Sequence, residues 1–167
     1  ATVEVEASLD NRSNKSRHVN VTINLINPNG RNVASKQVTV DVPAGDTVVV
    51  NEQLLVSKPI LWSPDAPHVY EADVTITEGK RTLDRRRETF GLRTLNYSVS
   101  NGLLLNGQSI RLNGGCVHHD NGCLGAAAYD KAEERKVILL KSAGFNAVRT
   151  SHNPPSEAFL DACDKHG

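Results

Sequence analysis

Methionine is absent from the 167 residues, which begin at Ala1. A newly translated product carries an initiator Met, so a processed chain or an internal piece of a longer one is expected. Excess charge of either sign is absent too, with 19 Lys+Arg against 19 Asp+Glu. Proteins that bind nucleic acid or anionic surfaces show a basic excess or stripe, so a nucleic-acid partner is not expected. No apolar run approaches the ~20 residues that span a bilayer, and no signal peptide is visible. A membrane partner is therefore not expected, and the compartment is left open. Cysteine is scarce: Cys116, Cys123 and Cys163 form an odd set without a disulfide framework and read most simply as buried thiols.

What is present is unevenly spread. Residues 1–100 hold 15 of the 18 valines, whereas eight of the 14 alanines fall in the last 67 residues. Valine suits pleated, half-buried strands and alanine suits helices. The expected organisation is an all-β part followed by an α/β part, divided near residues 92–101. Period-two alternation marks strands at Val3 to Leu9, Val19 to Leu25, Val38 to Val42, Val48 to Leu54 and Val69 to Ile76. Turn signals separate them at Asn27-Pro28-Asn29-Gly30, Pro43-Ala44-Gly45-Asp46 and Glu78-Gly79-Lys80. Seven or so short strands in this span predict an immunoglobulin-like sandwich over 1–95. Trp62 is expected to plug the end of its core. Arg85-Arg86-Arg87 reads as a solvated strand, with one or two of the three on a common face.

The remainder, 96–167, alternates differently. Leu103 to Ile110 flanks Asn106-Gly107, the favoured type I′ hairpin pair, and Ile110 to Val117 is expected to continue as a strand. Asp130 and Glu133 suggest a capping-box start to a helix, with Gly144 at its C-terminal cap. Asn146 to Thr150 is a short strand. Asn153-Pro154-Pro155 is expected to cap a second helix whose inward face carries Phe159, Leu160, Ala162 and Cys163. Strand–helix–strand–helix with short connections makes parallel strands. An eight-unit (β/α)8 TIM barrel needs ~250 residues, so only its first two βα units, an incomplete barrel, fit here.

Polar clusters follow both parallel strands: Cys116-Val117-His118-His119-Asp120-Asn121 and Arg149-Thr150-Ser151-His152-Asn153. Neighbouring parallel strands end at one edge ~4.8 Å apart, so His118 and His152 are expected to share a pocket at the C-terminal rim, where such barrels place their sites. Imidazoles, a guanidinium, Asp and Asn together suit a hydroxyl-rich ligand. Each His taken alone also fits a structural role; the convergence of both clusters favours the functional one. Cys116, His118, His119, Cys123, His152 and Cys163 include metal-binding types, but their spacing matches no zinc pattern, and no metal or cofactor is expected. Ser151–His152 lacks a nucleophile elbow, and adjacent residues point apart. Glu133 and Glu134 are read as helix-start residues that favour the dipole.

Asn106-Gly107-Gln108-Ser109-Ile110-Arg111-Leu112-Asn113-Gly114-Gly115, His118-His119-Asp120, and Gly144-Phe145-Asn146-Ala147-Val148-Arg149-Thr150-Ser151-His152-Asn153-Pro154 with Cys163-Asp164 resemble glycoside hydrolase family 2. Leu61-Trp62-Ser63-Pro64 and Phe90-Gly91-Leu92-Arg93 resemble that family's immunoglobulin-like domain and its exit into the barrel. Members include β-galactosidases, β-glucuronidases and β-mannosidases. The resemblance implies a parent with a jelly-roll domain first, this sandwich second and the barrel third. It implies a retaining exo-glycosidase of terminal β-D-galactosides whose two catalytic glutamates lie on later strands, so no catalytic residue falls in this chain. The alternatives are a β-glucuronidase, a β-mannosidase or a non-catalytic carbohydrate-binding module. Expected substrate-binding residues are His118, Arg149, His152 and Asp120. Many members read Asn-Arg-His-Glu where this chain has Cys116-Val117-His118-His119. Self-association through the truncated barrel is a further expectation, since an unpaired strand and apolar helix faces seek cover.

Overall fold

The computed structural model describes residues 1–167. By internal contacts it divides into two units, Ala1–Ile60 with Tyr70–Leu92, and Leu61–Val69 with Arg93–Gly167.

The first unit has six strands, one fewer than expected: β1 (Thr2–Asp10), β2 (Arg17–Ile26), β3 (Asn32–Val42), β4 (Thr47–Leu55), β5 (Val69–Glu78) and β6 (Arg81–Gly91). They form a four-stranded sheet, β3-β2-β5-β6, and a two-stranded sheet, β1-β4. The alternation in β2 explains its central place. Val19, Val21, Ile23 and Leu25 are buried, each removing apolar surface worth about 1.5–3 kcal/mol. The intervening residues pair outward across β3. Thr39 donates to Asn20 at 2.8 Å, and Ser35 to Asn24 at 2.8 Å. Leu9, Val50, Leu54, Tyr70 and Ala72 complete the core.

Asn11 is a buried polar residue that the pattern did not mark. Its amide nitrogen donates to the carbonyls of Lys15, Val42 and Pro43 at 2.9–3.0 Å, and its oxygen accepts from Ser13. One side chain thus satisfies two turns that would otherwise leave carbonyls without partners. The arginine run obeys alternation but is not simply solvated. Arg85 grips buried Asp73 through both carboxylate oxygens, and Arg87 stands near Glu71 and Asp73 on the same face. Arg86, on the other face, donates to Glu88 at 2.7 Å. The Arg85 hydrogen bond holds the Asp73 carboxyl below its usual range, against the opposing effect of burial.

The second unit contains β7 (Leu95–Ser98), β8 (Gly102–Leu105), β9 (Gln108–Ser109), β10 (Gly114–Val117), helix α1 (Asp130–Ser142), β11 (Ala147–Thr150) and helix α2 (Glu157–His166). Asn106 and Gly107 have φ of 53° and 80° and make the anticipated I′ turn. The strand expected to run from Ile110 to Val117 begins only at Gly114, because Ile110 to Asn113 make a connection between two different sheets. Gly144, φ 88°, closes α1: its amide donates to Lys141 and that of Phe145 to Leu140.

Several local expectations fail for identifiable reasons. Helix α1 has Tyr129 at its N-cap with no side-chain cap, because Glu133 turns inward instead. Ser156, not Asn153, caps α2 by accepting from the Phe159 amide at 3.2 Å, since the two prolines remain outside the helix. Phe159 and Ala162 are buried, whereas Leu160 lines the same cavity as Phe159 and Cys163 but stays half exposed. Glu134 does more than favour a dipole: it accepts from Lys131 and from Lys165 of α2, both at 2.8 Å. Those bonds, that to Lys131 first, hold its carboxyl at about 2. Trp62 belongs to the second unit rather than the sandwich core. Its indole N–H donates to the Asp164 carbonyl at 2.7 Å, while the Arg93 guanidinium lies 4.8 Å from the ring centroid. An indole needs an acceptor when buried, and an apolar sandwich core offers none.

Candidate functional site

The site is built on the parallel pair β10–β11. Register aligns Gly114 with Ala147, Gly115 with Val148, Cys116 with Arg149, and Val117 with Thr150. Both strands therefore end level, and the Ser151 amide extends the ladder by donating to the Val117 carbonyl at 2.9 Å. A Cβ at Gly114 would lie 1.8 Å from the Ala147 carbonyl oxygen, so the strands approach this closely only because residue 114 has no side chain. At Gly115 the nearest atom to such a Cβ is 3.9 Å away, an ordinary contact.

Just beyond the level ends stand His118 and His152, exposed, with ring centroids 6.3 Å apart in an edge arrangement. Arg149 is exposed beside them. Its guanidinium donates to the Ser151 hydroxyl at 2.9 Å and to the Cys116 sulfur at 3.6 Å. Asp120 lies on the same loop as His118, but its carboxylate already accepts from the Gly122 amide at 3.0 Å. The peptide between Ser151 and His152 is cis. Two imidazoles and a guanidinium on one open edge offer donors and acceptors of fixed direction, suited to hydroxyl groups. The neighbouring acids are differently occupied: Asp120 in its turn, and Glu133 buried beneath the loop. Two imidazoles and a guanidinium can bind and orient hydroxyl groups, and neither of these acids is one of a pair of free carboxylates such as an acid–nucleophile mechanism needs.

Sequence reasoning missed the support beneath the loop. Asn121 donates to the Glu133 carboxylate at 2.7 Å and to the Ala127 carbonyl at 3.1 Å, and Lys136 donates to Glu133 at 3.2 Å. The i,i+3 spacing of Glu133 and Lys136 was the available signal. The cysteines also differ from expectation, since Cys116 and Cys123 are exposed and only Cys163 is largely withdrawn. Hydrogen bonds from Ser151 and then Arg149 pull the Cys116 thiol below its ordinary range, whereas burial pushes Cys163 up to about 11. The thiolate is the nucleophile. Iodoacetamide at neutral pH should therefore label Cys116 first and Cys163 last, as read by peptide mass spectrometry over time.

Residues 1–93 match the family model described as glycosyl hydrolases family 2, and residues 98–167 match that of the family's TIM barrel domain. A β-galactosidase of Bacteroides ovatus is 38% identical over 167 residues, all of this chain and 20% of the relative. A β-glucuronidase of Bacteroides fragilis is 28% identical, over 94% of this chain and 23% of its own length. The solved structure of a family 2 member from Bacteroides cellulosilyticus superposes with a TM-score of 0.92 at 42% identity, covering 99% of this chain and 23% of the other. The chain thus spans about a fifth of the length of the curated relatives it matches. With both parts of its length matched, the chain belongs to glycosyl hydrolases family 2.

Proposed function

We propose that this chain is part of a longer retaining exo-glycosidase that removes terminal β-D-galactosyl residues. In this reading 1–95 is the sandwich and 96–167 the first part of the catalytic barrel. The chain contributes a sugar-binding rim of His118, Arg149, His152 and Asp120. The two catalytic carboxylates come from later barrel strands, so the chain by itself has no hydrolase activity. The observation that carries the reading is the level ending of β10 and β11, which brings His118 and His152 together beside Arg149. Three directional groups on one open edge complement the ring hydroxyls of a pyranose.

A second reading, a β-glucuronidase, is favoured by a relative called a putative β-glucuronidase from Formosa agariphila, 40% identical over 115 residues. The two are separated by assaying the intact enzyme on 4-nitrophenyl β-galactoside, β-glucuronide and β-mannoside. The galactoside should give the highest kcat/KM, and a glucuronide preference of about tenfold, worth ~1.4 kcal/mol in transition-state binding, would replace the first reading with the second. The 167-residue chain should turn over none of the three.

A further inference from the structure

Glu133 lies on the inward face of α1, one turn before buried Val137, where an apolar residue would pack at less cost. Its carboxylate does not cap the helix. It reaches instead to the loop that follows β10, where Asn121 donates to it at 2.7 Å. Lys136, one turn further along, donates to the same oxygen at 3.2 Å and to the His118 carbonyl at 3.4 Å. The Lys136 ammonium also lies 5.8 Å from the Phe159 ring centroid of α2. A small cavity of about 10 Å³ is lined by His118, His119, Glu133, Lys136 and Ser151, so the acid sits directly beneath the rim.

We propose that Glu133 and Lys136 are positioning residues that clamp the 118–127 loop to α1 and thereby set where His118 stands at the sugar-binding rim. The inference rests on the rim reading given above. Burial alone would raise the Glu133 carboxyl, but the bonds from Asn121 and Lys136 outweigh it, and the group stays below its ordinary range. It therefore keeps the negative charge the clamp needs at neutral pH.

The decisive substitution is the double change Glu133→Leu with Lys136→Leu in the intact glycosidase. A group that mattered only to folding would lose stability and activity together. A clamp separates them, because replacing both members of a buried ion pair by apolar side chains of similar size is often neutral or stabilising. The expected result is a Tm within a few degrees of the parent and a roughly tenfold lower kcat/KM, carried mainly by KM, a loss of ~1.4 kcal/mol. Amide exchange across 118–127 should quicken while α1 stays protected. Glu133→Gln, which retains an acceptor for Asn121, should recover most of the loss, and Asn121→Ala should reproduce the Leu phenotype from the loop side. Unchanged kcat/KM and unchanged loop protection in both the Glu133→Leu/Lys136→Leu double variant and Asn121→Ala would overturn the proposal. Activity lost only alongside global unfolding in both would do the same. His118→Ala is the control for the underlying reading. If it leaves kcat/KM intact the rim assignment fails, while the exchange measurement still decides the clamp.

Discussion

Replacing Gly114 by alanine is expected to disable the rim, whereas the same change at Gly115 is expected to be nearly silent. The two glycines are adjacent on β10, yet an added Cβ would meet the Ala147 carbonyl oxygen at 1.8 Å in one case and nothing nearer than 3.9 Å in the other. Backbone cannot step aside as a flexible side chain can. The strand pair must separate or slip, at a cost of about 3 kcal/mol or more, the upper range of overpacking. Separation removes the register that ends both strands at one level, and a one-residue slip would turn His118 to the opposite face. In the intact enzyme, Gly114→Ala should lower Tm by roughly 10 °C and abolish measurable glycoside turnover. Gly115→Ala should shift Tm by no more than a degree or two. Differential scanning fluorimetry beside an aryl galactoside assay reads both, and a Gly114→Ala enzyme of parental stability would refute the close-approach account.

Arg149→Ala should produce the largest loss of activity among the rim residues without a matching loss of fold. The side chain is exposed, so its removal opens no core cavity, and its hydrogen bonds go to Ser151 and Cys116 at the edge itself. A charged hydrogen bond is worth about 1.5–3 kcal/mol. Losing one to a sugar hydroxyl therefore lowers kcat/KM by roughly 10- to 150-fold. His118→Ala and His152→Ala should each fall less, by about fivefold, in keeping with ~1 kcal/mol for a neutral bond. Asp120→Ala should act mostly through its turn, since its carboxylate is already held by the Gly122 amide. Steady-state kinetics with thermal melts of the same preparations check the order, and an Arg149→Ala enzyme of parental kcat/KM would remove that residue from the rim.

Legibility of the fold followed the kind of signal each segment carries. Strands β1 to β5 were readable because valines alternate with polar residues, and period two leaves one consistent core face. The Asn106–Gly107 turn and the Gly144 cap were readable because positive φ selects few residue types. The short β7 escaped notice because Leu95 to Ser98 has only four residues, all of them exposed or half-buried. Trp62 was misplaced because hydrophobicity says a tryptophan is buried without saying where, and the acceptor of its N–H comes from Asp164, 102 residues away.

The same limit governs the site. His118, Arg149 and His152 could be proposed because His118 follows β10 directly while Arg149 and His152 bracket the end of β11, so local order implies spatial convergence. Glu133 carries only the weak signal of its i,i+3 spacing to Lys136, and a Glu in a first helical turn has a cheaper explanation in the dipole. Its partner in the loop, Asn121, is joined to it only by the fold of the intervening residues. Nothing in the sequence around Cys116 signals that its strand face stands open in this chain.

The central claim, that this chain carries a sugar-binding rim and not the reacting carboxylates, is tested most directly by a crystal structure of the intact enzyme with bound galactonolactone. The account predicts ring hydroxyls within about 3.2 Å of His118, Arg149 and His152, with both catalytic carboxylates supplied from outside residues 1–167. A lactone bound elsewhere in the barrel without touching these three side chains, or one seated between two carboxylates of this chain, would contradict it.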